Sequence, residues 1–162
     1  MKKIAIFPGS FDPITRGHED VVRRSLPLFD EIIIAVGINS TKTYMFTIDQ
    51  RLSFITKTFK DVSKIKVDTY NGLTVDYCKK MNSTIILRGV RNSSDFEFEQ
   101  AIAQMNRAMA PEIETVFITT APEYCAISST IVREIVRNNG DASQFVPKGI
   151  KDRKSTRLNS SH

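Results

Sequence analysis

Five short apolar runs, each followed by a stretch of helical periodicity, constrain this chain more than any other feature. Residues 4–7, 31–38, 65–70, 84–87 and 114–119 read as strands. After them, apolar side chains recur at helical spacing: Val21, Val22, Leu26 and Phe29, then Leu52, Ile55 and Phe59, then Val75, Cys78 and Met81. A long helix from Ser94 gathers Phe98, Ala101, Ile102, Met105 and Met109 on one face, and a last one carries Ile131, Ile135 and Val136. Strict alternation of this kind predicts an α/β fold: a Rossmann-like, doubly wound, five-stranded parallel sheet in the order 3-2-1-4-5 with right-handed crossovers. The unbroken run EIIIAVGI suits a strand covered on both faces, whereas the shorter, more polar third strand suits an edge. Pro27 ends or bends the first helix, Thr47 with Gln50 forms a capping box, Gly72 opens a helix and Gly140 stops one.

The first strand runs into Gly9-Ser10-Phe11-Asp12-Pro13-Ile14-Thr15-Arg16-Gly17-His18. A strand, a glycine-punctuated turn and a helix start together make an anion site, because the free N–H groups of the first helical turn face the ligand. Gly9 permits a sharp turn and Gly17 removes a side chain where the helix begins. His18 falls in that first turn, where the helix dipole disfavours a second proton, so a neutral, hydrogen-bond-donating imidazole is expected. The other familiar phosphate loop, G-x-x-x-x-G-K-[ST], does not occur.

Ligands of such sheets bind beyond the carboxyl ends of the strands, where the strand order reverses. Ser10 and His18 follow the first strand, Lys42 the second, Thr74 the third, Arg88 and Arg91 the fourth. Tyr124 and Ser128-Ser129-Thr130 follow the fifth. The topology therefore brings His18 beside Arg88 and Arg91. Each also has a plainer reading. Lys42 could be a solvated charge, and Ser-Ser-Thr an N-cap, though three hydroxyls exceed what capping needs. Arg88 ends an apolar strand and requires an anionic partner, from the protein or from a ligand phosphate. Glu99 is the expected structural partner of Arg91. Met105 and Met109 read as core or subunit-contact filler, and Cys125 as a thiol without a chemical role.

The composition, 41% apolar and 25% charged over 162 residues, fits one globular domain over residues 1–150. The net charge of +5 hints at nucleic acid, but Lys151, Arg153, Lys154 and Arg157 crowd into the last twelve residues against Asp152 alone. The rest shows no basic stripe with interleaved aromatics, so no nucleic-acid partner is expected. Residues 151–162 lack periodicity and read as a non-native or disordered tail. No apolar run nears the roughly 20 residues that span a bilayer, no leader segment fits ahead of the first strand, and two cysteines make no disulfide framework. A cytoplasmic protein without a membrane partner is expected.

Thr15-x-Gly17-His18 resembles the T/H-x-G-H signature of the nucleotidyltransferase superfamily. From residue 3 to about residue 150 the chain resembles the bacterial phosphopantetheine adenylyltransferases. PGSFDPITRGH at 8–18, Lys42 with MFT at 45–47, RGVRNSSDFEFE at 88–99, MNR at 105–107 and ISSTIVRE at 127–134 carry the likeness. The resemblance implies transfer of AMP from ATP to 4′-phosphopantetheine, by direct in-line attack without a covalent enzyme intermediate. It implies Ser10, Lys42, Thr74 and Arg88 at the acceptor. It implies Ser10, Phe11, His18, Gly89, Val90, Arg91, Glu99, Tyr124, Cys125, Ala126, Ile127, Ser128, Ser129 and Thr130 at ATP. His18 would stabilise the transition state, with Lys42, Arg88 and Arg91 as catalytic cations. Mg²⁺ would arrive on the ATP phosphates, with no metal site of the protein's own. Coenzyme A as feedback inhibitor and a hexamer built as a dimer of trimers are implied in the same way, the long helix being a contact surface. Thr74 stands where the family commonly has an apolar residue, Asn92-Ser93 replace a small apolar pair, and the tail replaces a closing helix. A CTP-using relative with another phosphorylated acceptor is the nearest alternative, and a nucleic-acid-binding module the more distant one.

Overall fold

In the computed structural model, which describes residues 1–150, five strands alternate with five helices. The strands are β1 (Ile4–Gly9), β2 (Glu31–Gly37), β3 (Ile65–Tyr70), β4 (Ile85–Val90) and β5 (Glu114–Thr119). The helices are α1 (Arg16–Ser25), α2 (Ile48–Thr58), α3 (Thr74–Lys80), α4 (Ser93–Met109) and α5 (Ser129–Arg137). All strand pairs are parallel, in the order β3-β2-β1-β4-β5, so β3 is an edge as its polarity predicted. The tail expectation falls outside the described residues.

Alternation along β2 builds both sides of the core. Ile32, Ile34 and Val36 pack with Val22, Phe54, Ile55 and Val132, whereas Ile33 and Ala35 pack with Val75, Cys78 and Ile113. Each such side chain contributes roughly 1.5–3 kcal/mol on burial. Ala142, Val146 and Ile150 close the first side, where Arg16 donates from its backbone N–H to Phe145 O and from Nε to Val146 O. Thr47 and Gln50 form the expected capping box on α2, and Pro27 sits in a 3₁₀ turn directly after α1.

Two details differ from the sequence reading. After α5 the left-handed residue is Asn139, with φ of 58°, rather than Gly140; a side chain at 140 would instead meet Ile135 Cγ2 at 2.8 Å. The larger difference is α4. Its half-buried, sheet-facing residues are Asp95, Glu99, Ala103 and Asn106, while Phe98, Ile102, Met105 and Met109 are exposed. Periodicity located the apolar face correctly; Met105 and Met109 are not core in the single chain.

Candidate active site

The loop after β1 is built around Phe11. Its backbone is left-handed, with φ of 47°, and its ring folds back over Gly9, where an added Cβ would lie 2.9 Å from Cζ. Gly9 is therefore demanded by close approach, and the strained turn the sequence assigned to it belongs to Phe11. The Phe11 ring meets the His18 imidazole edge-on at 5.0 Å, with Phe7 at 6.3 Å.

His18 is locked by the cap of its own helix. Thr15 accepts the His18 N–H on Oγ1 at 3.3 Å, and the Thr15 N–H donates to His18 Nδ1 at 3.0 Å. With Nδ1 accepting, the ring proton resides on Nε2. Burial, reinforced by the charges of Arg88 and Arg91, lowers the pKa of His18 to about 3. The imidazole is thus a neutral donor across the physiological range, as its place in the first helical turn predicted.

Arg88 and Arg91 are held as a matched pair. Arg88 donates through Nε and Nη2 to Glu99 at 3.0 and 2.6 Å, and through Nη1 to Pro8 O. Arg91 donates through Nε and Nη2 to Asp95 at 2.8 and 3.1 Å, and through Nη1 to Ile127 O at 3.3 Å. The bidentate bond to Arg91 holds the Asp95 carboxyl below its usual range. Each guanidinium has five N–H groups and uses three, so two remain for a ligand. The pairing of Glu99 with Arg91 is overturned: the chain reverses at Asn92, the N-cap of α4, so the first turn of the helix faces Arg91 and the second faces Arg88, pairing 91 with 95 and 88 with 99. The Asn92-Ser93 departure thus supplies a cap, Asn92 accepting the Asp95 N–H at 2.9 Å.

Lys42 reaches across to donate to Ser10 Oγ at 3.1 Å, beside the Tyr44 ring. Of the three hydroxyls at α5, Ser128 caps the helix, Ser129 donates to Pro13 O at 2.8 Å, and Thr130 accepts from Arg133 at 3.2 Å.

These groups line one cleft of about 340 Å³, which brings together Ser10, Phe11, His18, Lys42, Arg88, Gly89, Arg91, Glu99, Ile127, Ser128, Ser129 and Thr130. Thr15 of the Thr15-x-Gly17-His18 signature joins them, as do Asp12, Asp95, Thr120 and Arg133, to which the sequence reading gave no role. Arg133 had a signal, since it lies within ISSTIVRE; Asp12 lay within the first motif but carried no role. Thr74 instead lines a smaller cavity of about 190 Å³ with Tyr70, Ile102 and Asn106, and its hydroxyl lies 2.9 Å from Tyr70 Oη. Arg88 and Glu99 border both cavities. Val90, Tyr124, Cys125 and Ala126 do not line the main cleft; the Cys125 thiol faces the carbonyls of Thr120 and Ala121.

Comparison with known proteins places the chain among relatives of similar sequence and fold. The cytidylyltransferase-like family matches residues 6–135. Among solved structures, a bifunctional NMN adenylyltransferase/ADP ribose pyrophosphatase from Francisella tularensis superposes with a TM-score of 0.70 at 16% identity, over 90% of this chain and 45% of that one. A Vibrio parahaemolyticus protein provisionally named nicotinate-nucleotide adenylyltransferase gives 0.66 at 22%, over 90% and 94%. At those identities the likeness concerns the fold alone. Sequence relatives are far nearer. The phosphopantetheine adenylyltransferase of Flavobacterium psychrophilum is 55% identical over 91% of this chain and 97% of its own. That of Leptospira biflexa is 55% identical over 91% and 92%. With near-complete coverage at that identity, and with the motif residues gathered in one cleft, the chain belongs to the phosphopantetheine adenylyltransferase family.

Proposed function

We propose that this cleft transfers the adenylyl group of ATP to 4′-phosphopantetheine, giving dephospho-coenzyme A and pyrophosphate in the coenzyme A pathway of the cytoplasm. An oxygen of the acceptor phosphate attacks the α-phosphorus, the bond from that phosphorus to the bridging oxygen breaks, and pyrophosphate leaves with the electron pair. A phosphate monoester has a second pKa of about 6, so at neutral pH the nucleophile is already mostly the dianion and needs no base. The cleft fits this: its imidazole has Nδ1 engaged by Thr15 and is a donor, not a proton acceptor, towards a ligand.

Lys42, Ser10 and the free N–H groups of Arg88 hold the acceptor phosphate, with the Thr74 cavity taking the remainder of that molecule. Arg91, Gly89 and the start of α5 hold the nucleotide, and His18 Nε2–H donates to the charge that builds on the α-phosphate. The observation that carries this reading is the convergence of Lys42, Arg88, Arg91 and a neutral His18 on one cleft. Mg²⁺ would neutralise charge on the triphosphate when bound. The described residues include no group of three His, Cys, Asp or Glu side chains able to hold a metal, and the carboxylates of Asp12, Asp95 and Glu99 are engaged by N–H donors. Mg²⁺ is therefore assigned to the phosphates of ATP as part of this proposal. Among the described residues no helix is long and apolar enough to cross a membrane.

The exposed apolar face of α4, with Phe98 at 67% and Met105 at 65% exposure, is read as a contact between copies of the chain, in keeping with a hexamer. Coenzyme A, sharing the acceptor's chemistry, is read as an inhibitor competing at the same cleft. The test of the function is pyrophosphate release from ATP and Mg²⁺ with and without 4′-phosphopantetheine. Release should require the acceptor; equal release without it, or with CTP in place of ATP, would contradict the assignment.

A further inference from the structure

Two buried charged residues at the base of the cleft, each bonded to backbone rather than to the other, are left unexplained by the reaction. Arg51, in the first turn of α2, is only 2% exposed, and Asp12, in the loop after β1, is 3% exposed. Burying a guanidinium is costly, and an apolar side chain of similar volume would fill the same space more cheaply. Their bonds form a reciprocal clasp between the two segments that carry Ser10 and Lys42. Both Asp12 carboxylate oxygens accept backbone N–H groups from the Lys42 side, Met45 and Phe46, each at 2.9 Å. Arg51 returns the grip, donating from Nη1 to Ser10 O at 3.0 Å and from Nε to Phe46 O at 3.2 Å. The bond to Ser10 O fixes the peptide on which the left-handed Phe11 turns.

Tyr44 connects this clasp to Lys42. The Arg51 guanidinium lies 3.9 Å from the centre of the Tyr44 ring, and the Lys42 ammonium lies 5.5 Å from the same centre. The Tyr44 hydroxyl accepts the Asn39 N–H at 3.2 Å, which pins the start of the Lys42 loop. Burial lowers the pKa of Arg51 while Asp12 and Tyr44 oppose the shift.

We infer that Arg51 is a positioning residue for the acceptor-phosphate site, acting through Tyr44 and the Ser10 carbonyl to set Lys42 against Ser10. Arg51 touches no reactant. It fixes the separation of two groups that must close on one phosphate, and a misplacement of about 1 Å at such a site can cost on the order of 10²-fold. The inference rests on the assignment of Lys42 and Ser10 to the acceptor.

The test is a double-mutant cycle in steady-state kinetics, with Arg51→Met, Lys42→Ala and both together, varying ATP and 4′-phosphopantetheine separately. Arg51→Met should raise the acceptor KM about tenfold or more and leave the ATP KM within about twofold. In the Lys42→Ala background the same change should add little, because the group it positions is gone. Independent, multiplicative effects on the acceptor KM would overturn the inference, as would an equal rise in both KM values or none in either. If Arg51→Met does not fold, Tyr44→Leu takes its place in the cycle, with a rise of about threefold expected in the acceptor KM alone; no rise overturns the inference. A Lys42→Ala enzyme with an unchanged acceptor KM overturns the Lys42 assignment itself, and the role of Arg51 with it.

Discussion

Where α1 and α2 meet the sheet, Val21, Val22, Phe54 and Ile55 are each at most 2% exposed; α4, with 17 residues, buries none. Both sides frame the same cleft. On the α1 and α2 side, His18 and the Lys42 loop inherit their positions from a close-packed core, reinforced by the Thr15 cap and the Asp12–Arg51 clasp. On the α4 side, Arg88 and Arg91 are set by two carboxylates one helical turn apart, on a helix that leaves Phe98, Ile102, Met105 and Met109 exposed. Packing therefore dominates one wall and charge pairing the other, so stability and activity should separate between them.

The largest effect belongs to the packed wall. Phe54→Ala, which empties a site packed edge-on against Phe46 at 5.2 Å, should cost about 3–5 kcal/mol in urea unfolding. A loss as large from an α4 substitution would break the comparison. Next, His18→Ala should lower kcat by 10²-fold or more, about 3 kcal/mol of transition-state stabilisation, with an unchanged circular dichroism spectrum. Near-normal turnover would remove His18 from the chemistry. Glu99→Gln keeps the shape of the Arg88 partner but removes its charge, and should lower kcat/KM for the acceptor about tenfold while moving stability little. A stability loss without a kinetic one would make the pair structural only.

Below these stands the pH dependence. His18 titrates at 6.5 when unfolded and near 3 when folded, so the unfolded state binds the extra proton first as pH falls. Stability should therefore decline from pH 6.5 downwards, by less than about 1.4 kcal/mol per pH unit because the ring is partly exposed. Denaturation at pH 7 and pH 5 should show the decline, and His18→Gln should reduce it; a flat response in the parent protein would contradict the neutral imidazole. The smallest effect is expected from Met105→Ala, about 0.5 kcal/mol or less in unfolding of the isolated chain.

The legible part of the molecule was the part governed by apolar periodicity and caps. EIIIAVGI had to be an interior strand, and Thr47 with Gln50 had to start a helix. The placement of His18 was legible because its cap partner is three residues away, whereas the burial and the Arg88 and Arg91 charges that hold it neutral come from the fold. Periodicity could not orient α4, since a stripe of Phe98, Ile102 and Met105 reads the same whether it faces the sheet or another chain. Nor could it pair Glu99, whose partner depends on where the chain reverses rather than on charge alone. Arg51 and Asp12 were passed over because charged residues in polar stretches read as surface; only the fold shows them buried and clasped across 33 to 41 positions of sequence.

The claim beneath all of this is that two anionic reactants meet head-on in one cleft, with no enzyme nucleophile between them. The stereochemical course at the α-phosphorus tests it most directly, using ATP made chiral there with sulfur or oxygen isotopes. A single in-line displacement inverts the configuration, and inversion is the expected result. Retention would require two displacements and a covalent adenylyl-enzyme, and would contradict the role assigned to every residue in the cleft.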